Sequence, residues 1–198
     1  MTTVSSSLEN DKKYPLGFDS IDHENEIDGI VFSNYDDESQ LEIVMSLVGR
    51  DLSEPYSIFT YRYFLHRFPQ LCILALDEST KEPIGCVVGK IDVENEIKIG
   101  YIGMLAVDKT RRRKGIGRAL VKRVLDRMYR LNCASATLET EVSNKAAQRL
   151  YQEAFGFIRE ELLVRYYLNW GDAYRLRLWF DRPSVNRPSE VQHLIGTK

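Results

Sequence analysis

Apolar positions recur at helical spacing in some stretches of the chain and alternate or run together in others, and this distribution predicts a mixed α/β fold. Over 56–68, Ile58, Tyr61, Leu65 and Phe68 share one helical face; over 117–128, Leu120, Val121, Val124, Leu125 and Met128 do the same. Shorter helices are expected over 38–47 and 143–154. Ser53 and Pro55 suit the start of the helix at 56, and Ser143 suits the cap of the last one. Strand patterns cover 29–33, 72–76, 84–93, 97–107 and 134–142, with turn signals at 78–83 and 94–96 that fold 72–107 into an antiparallel meander. The runs 157–168 and 174–180 read as a hairpin around 169–172. Residues 1–27 and 182–198 carry no such pattern and are expected to be flexible tails around a single domain over 28–181.

Composition narrows the class. With 198 residues, 43% of them hydrophobic and only 12 Gly and 6 Pro, the chain has the length and apolar content for one globular core and excludes a collagenous or wholly disordered protein. No run approaches the ~18 apolar residues needed to span a bilayer, and the polar N-terminus lacks the layout of a signal peptide, so neither membrane insertion nor export is expected. Cys72, Cys86 and Cys133 stand singly in apolar surroundings, which fits core thiols in a reducing compartment, cytosol or nucleus, better than a disulfide framework or a metal site. The net charge of -2 hides a strong asymmetry: residues 1–60 hold 13 acids and 3 bases, a local charge of -10, leaving +8 for the remainder. Eight of those bases and no acid fall within 109–125, a patch suited to an anion.

Inside that patch lies Arg112-Arg113-Lys114-Gly115-Ile116-Gly117-Arg118, an R-x-x-G-x-G string between the strand ending at Val107 and an amphipathic helix. Glycines at 115 and 117 let the backbone approach a ligand, and the free N–H groups of a helix start, with the helix dipole, favour an anion such as a pyrophosphate. The string does not satisfy the dinucleotide fingerprint, because Ala119 and Leu120 stand where a further glycine would be needed, nor the Walker pattern, because Gly-Lys-Ser/Thr is absent. Taken alone, such a loop reads first as a solvated basic surface. Some twenty residues on follow Leu138-Glu139-Thr140-Glu141-Val142, then Asn144 and Tyr151, then Phe155-Gly156-Phe157; Glu139 and Glu141 share a strand face, and Asn144, Ala147 and Tyr151 share a helix face.

This arrangement resembles the GNAT N-acetyltransferase superfamily. The resemblance implies an acyl-CoA N-acyltransferase fold, with a mixed, mostly antiparallel sheet that splays at the acetyl-coenzyme A site and is flanked by helices. It also implies that the 112–118 loop holds the pyrophosphate, with Leu105, Ala106 and Val107 at the strand end and Asn144 and Tyr151 beside the pantetheine arm and sulfur. Longer strings are similar to the catalytic subunits of N-terminal acetyltransferase C: Asp51 through Ser57, Tyr61 through Leu65, Gly100 through Val107, Leu138 through Val142, and Arg165 through Asn169 with Gly171-Asp172-Ala173. That narrower resemblance covers roughly 29–178 and leaves both tails outside it.

The roles it implies agree with the residue types. Glu139 is the candidate general base: a carboxylate on a strand of Ala, Thr, Leu and Val is costly to bury without a purpose or a partner, and a structural ion pair with an arginine is the alternative. The demand on such a base is moderate, since a free α-amine has a reference pKa near ~7.7 to 8.0 against ~10.4 for lysine. Glu141 either assists from the same face or holds substrate or Arg165. Tyr151 is the candidate general acid, placed to give a hydrogen bond or proton to the departing thiolate, with a core tyrosine as the plain alternative. No Ser-His-Asp or Cys-His nucleophile is evident, so direct attack by the amine is the simpler route. Glu54, Pro55, Tyr56, Tyr101, Tyr166 and Tyr167 are candidates for the peptide groove, although Glu54 also suits a helix start and the hairpin tyrosines also suit strand pairing.

The expected activity is acetyl transfer from acetyl-coenzyme A, with no metal, to the N-terminal amine of nascent chains beginning with Met and a bulky apolar residue. The resemblance further implies a cytoplasmic enzyme working near the ribosome with a large auxiliary subunit and a small Sm-like one. Two alternatives stay open on sequence alone. One is a lysine or small-amine acetyltransferase of the same fold; the other is an inactive coenzyme-binding or nucleic-acid-binding module that uses the basic patch.

Overall fold

The computed structural model describes residues 27–50 and 56–181, so the expected tails and the stretch 51–55, with Ser53, Glu54 and Pro55, lie outside the described residues. The described chain forms one seven-stranded sheet of order β1-β2-β3-β4-β5-β7-β6. Its strands are β1 (Ile30–Asn34), β2 (Cys72–Asp77), β3 (Pro83–Glu94), β4 (Ile97–Val107), β5 (Ser135–Glu141), β6 (Ile158–Leu163) and β7 (Ala173–Trp179). Helices α1 (Leu41–Gly49), α2 (Ile58–Arg67), α3 (Ile116–Arg130) and α4 (Lys145–Phe155) cover its faces. No helix among the described residues is long and apolar enough to cross a membrane.

The expected meander is present as antiparallel β2 to β4, β1 adds antiparallel to β2 at the edge, and α3 supplies the crossover that a parallel β4–β5 pair requires. That parallel pairing is short, running only from Ile99 opposite Ser135 to Tyr101 opposite Thr137. Beyond it the two strands diverge, while β5 stays paired with β7 along its whole length. The sheet is therefore split at its centre, as expected.

Two apolar layers sandwich the sheet. On one face, Ile116, Leu120, Val124 and Met128 of α3 and Tyr151 and Phe155 of α4 pack on Ile73, Val87, Ile102, Ala136 and Leu138. On the other, Val44 and Val48 of α1 and Tyr61, Phe64 and Leu65 of α2 pack on Cys72, Leu74, Cys86, Val88, Met104 and Ala106. Cys72, Cys86 and Cys133 are buried within these layers.

Gly103 is an extra residue in β4: Val88 pairs with Met104 and Gly89 with Ile102, so the pleat changes phase between them. Ile102 faces α3 before this bulge, and Leu105 and Val107 face it afterwards; without the bulge Met104 and Ala106 would do so. A Cβ on Gly103 would lie 3.0 Å from the Phe64 ring of α2, so a side chain there would force that ring to give way.

Local chemistry moves three expected boundaries. Ser57 caps α2, its hydroxyl accepting from the Thr60 N–H at 3.3 Å. Asn144 caps α4 in place of Ser143, accepting from the Ala147 N–H at 3.0 Å, while Ser143 donates to Glu141 at 2.9 Å. The hairpin is shorter than its apolar pattern, because 164–172 forms a loop in which Asp172 accepts from the Arg165 N–H at 2.8 Å and Arg165 and Trp170 adopt positive φ.

Candidate active site

The end of β4 and the start of α3 build the first half of the site. Arg112 Nε donates to the Val107 carbonyl at 3.0 Å, folding the basic loop back on its strand, and Gly115 turns the chain into the helix at φ 82, a left-handed conformation that disfavours a side chain. α2 and α4 begin with side-chain caps, whereas Gly115 offers none, so the first N–H groups of α3 lack a capping side chain. They open on a cavity of about 740 Å³ lined by Leu105, Val107, Arg112, Arg113, Gly115, Ile116, Gly117, Arg118, Asn144 and Leu150. Uncapped amides, a helix dipole and guanidinium groups around one cavity are the donor set that a pyrophosphate requires, so these residues fit the phosphates of coenzyme A.

Two residues of the expected coenzyme set lie elsewhere. Ala106 packs on the α1–α2 face, 2% exposed, because of the bulge at Gly103. Lys114 lines a neighbouring cavity of about 390 Å³ with Ile27 and Asp77, on the far side of Arg111, which lines both.

The second half of the site occupies the split in the sheet. A cleft of about 380 Å³ continues from the larger cavity, sharing Arg50, Leu105, Asn144 and Ala147 with it, and is also lined by Glu139, Glu141, Tyr151 and Tyr167. Leu138 faces α3, so strand alternation places Glu139 on the α1–α2 face. Tyr151 approaches the same gap from α4 on the opposite face.

Glu139 is 9% exposed in its side chain and engaged on both oxygens: Tyr101 Oη donates to Oε2 at 2.8 Å and Arg175 Nε donates to Oε1 at 3.0 Å. The ion pair weighed as an alternative for Glu139 is thus present. Together the Arg175 and Tyr101 donors occupy about half of the carboxylate's roughly four acceptor positions. Burial, then the Glu139 carboxylate, pushes the Tyr101 hydroxyl well above the ordinary tyrosine range, so it remains a donor. Burial alone pushes the Tyr151 hydroxyl up in the same way.

The tyrosines expected in the peptide groove gather near this gap. Tyr101 lies with its ring centroid 6.4 Å from Phe64, Tyr56 stands edge-on to Tyr61 at 6.0 Å, and Tyr166 edge-on to Tyr167 at 5.1 Å. Burial, then Tyr166, raises the Tyr167 hydroxyl, with Glu141, Tyr56 and Glu139 also felt there. Arg165 stacks over Trp170 at 5.5 Å.

Sequence reasoning missed Arg50, Gly103, Leu150 and Arg175. Gly103 had a signal, an isolated glycine within a strand pattern. Leu150 also had one, being three residues from Ala147 on α4. Arg50 and Arg175 had none, since their places follow from how separate elements meet. Among the described residues, no cluster of His, Cys, Asp and Glu is arranged to hold a metal ion.

Comparison with known proteins follows this geometry. The model of the acetyltransferase (GNAT) family matches residues 41–157. N-alpha-acetyltransferase 30 of Xenopus laevis is 50% identical over 153 residues, 77% of this chain and 55% of that relative, so the chain spans about half the relative's length. N-alpha-acetyltransferase 30 of Saccharomyces cerevisiae is 46% identical over 160 residues, 79% of this chain and 90% of the relative. Among solved structures, a NatC complex bound to Gag peptide and CoA contains a chain 46% identical to this one. It aligns with a TM-score of 0.74 over 77% of this chain and 99% of that one.

Proposed function

The chain belongs to the acetyltransferase (GNAT) family, and from that premise we propose that it is the catalytic subunit of a NatC-type complex. In this reading it acetylates the free α-amine of nascent chains that begin with Met followed by Leu, Ile or Phe. The observation that carries the reading is the continuous space from the α3 N-terminus, through the split between β4 and β5, to Glu139. A donor cavity on one face meets a carboxylate and tyrosines on the other at a single opening in the sheet. The names of the relatives, and the peptide and CoA held by the related NatC complex, support this assignment.

Acetyl-coenzyme A supplies the activated acetyl group as a thioester. The 112–118 loop and the first amides of α3 bind its phosphates, and Leu105, Val107, Asn144 and Leu150 wall the channel leading to the gap. Glu139 takes the proton of the α-ammonium, directly or through a water, on the acceptor positions that Arg175 and Tyr101 leave open. Tyr151 faces the sulfur. Its raised hydroxyl keeps its proton, and because a thiol has a reference pKa near ~8.5, hydrogen-bond donation is favoured there over complete proton transfer. Tyr56, Tyr166 and Tyr167 offer apolar walls to the first side chains of the peptide. Pro55 belongs to the same groove in this reading and Glu54 is the carboxylate that would hold the α-ammonium; both lie outside the described residues.

The large auxiliary subunit, the small Sm-like subunit, association with the ribosome and a cytoplasmic location belong to the same reading; the likeness to the NatC complex supports assembly into a complex. Nucleic acid and membrane are not partners in it. The test compares Met-Leu peptides with free and with acetyl-blocked α-amines, each carrying an internal lysine, with auxiliary subunits present. Incorporation confined to the free α-amine is expected; equal incorporation into the blocked peptide would make the chain a lysine acetyltransferase instead.

A further inference from the structure

Arg175 faces Glu139 across the β5–β7 pair and Glu161 across the β6–β7 pair, so the three side chains form one row over three strands. Its guanidinium uses two arms: Nε donates to Glu139 at 3.0 Å and a terminal nitrogen donates to Glu161 at 2.8 Å. A planar fork held at both ends has a fixed orientation, which a lysine ammonium could not reproduce. The exposure of the row falls from 52% at Glu161 to 36% at Arg175 and 9% at Glu139, so the arginine extends from solvent to the edge of the gap.

We propose that Arg175 is the positioning residue of the base: with Tyr101 it fixes the plane of the Glu139 carboxylate, so that its remaining acceptor positions face the substrate amine. This rests on the reading of Glu139 as the base. Stability alone does not account for the arrangement. The strands are already joined by backbone ladders, and the outer Arg175–Glu161 pair, half-exposed, adds little to them. What the inner Arg175–Glu139 pair controls is a nearly buried carboxylate, which without Arg175 would keep only the Tyr101 donor and would swing about its side-chain torsions. The guanidinium itself is raised above its ordinary value, first by the hydrogen bond to Glu139.

The test is kcat and KM on a Met-Leu peptide, with auxiliary subunits present, for the wild type, Arg175→Met, Arg175→Lys, Glu161→Gln and Glu139→Gln. Arg175→Met is expected to lower kcat about tenfold or more, with KM for acetyl-coenzyme A within about twofold of wild type. Arg175→Lys, which keeps the charge and loses the fork, should fall between the two. Glu161→Gln should lower kcat slightly. If Arg175→Met melts below the assay temperature, Arg175→Lys carries the test by itself. Wild-type kcat in Arg175→Lys, or in a folded Arg175→Met, would overturn the positioning role if Glu139→Gln is inactive. A fully active Glu139→Gln would instead overturn the assignment of the base on which the proposal rests.

Discussion

Burial decides what each side chain at the gap can do. Tyr151 is 5% exposed and its hydroxyl is raised by desolvation, so it persists as a donor through pH values where an ordinary tyrosine would ionise. The sign follows directly: a raised acid loses its proton only above its usual value, and kcat should show no basic limb from this group as pH approaches ~10. Glu139 combines a nearly buried carboxylate with two donors, an arrangement that holds a charge in place while leaving acceptor positions open. Glu139→Gln and Tyr151→Phe should each lower kcat by roughly 10²-fold, the loss expected when a proton-handling group is removed, with coenzyme affinity by calorimetry nearly unchanged. A Glu139→Gln enzyme turning over at the wild-type rate would transfer the base role to Glu141 or to a water held by backbone.

At the scale of elements, the start of α3 is where the local sequence speaks most plainly. Gly115 needs its positive φ, whereas a Cβ on Gly117 would meet Val107 at 3.7 Å and Leu150 at 3.9 Å, ordinary contacts on the wall of the cavity. Gly117→Ala should therefore keep or slightly raise the melting temperature, since alanine is the better helix former by up to ~1 kcal/mol, while weakening acetyl-coenzyme A binding in calorimetry. Unchanged affinity would separate the α3 N-terminus from the phosphates. The loop, the helix behind it and the meander before it were legible because their signals are local: glycine spacing, amphipathic period and turn residues. Caps were legible only to within a residue or a few, as the exchange of Ser143 for Asn144 shows, because neighbouring polar side chains compete for the same N–H groups. The bulge at Gly103 was written as a single glycine, yet its effect, turning Leu105 and Val107 rather than Ala106 toward the cavity, appears only once β3 fixes the register.

For the whole molecule, the decisive feature is that β4 and β5 pair over only three positions and then part, so that the cavity at the α3 N-terminus continues into a cleft lined from both faces of the sheet. Pattern and spacing alone carried no sign of this split; it came from the family resemblance, because strand divergence depends on what packs above and below the sheet. Arg175 escaped both routes, since its contacts join β5, β6 and β7, which only the folded sheet brings into one row. The account as a whole claims that this opening presents an N-terminal amine, followed by apolar side chains, to an acetyl thioester. The most direct measurement is kcat/KM on free N-terminal peptides with the auxiliary subunits present, comparing Met-Leu with Met-Asp and Ser-Ser starts. Burying one apolar side chain contributes about 1.5 to 3 kcal/mol, and ~1.4 kcal/mol is already tenfold, so Met-Leu should exceed both by at least about tenfold. Equal values for Met-Leu and Ser-Ser would contradict the NatC-type assignment and leave only the acetyltransferase fold.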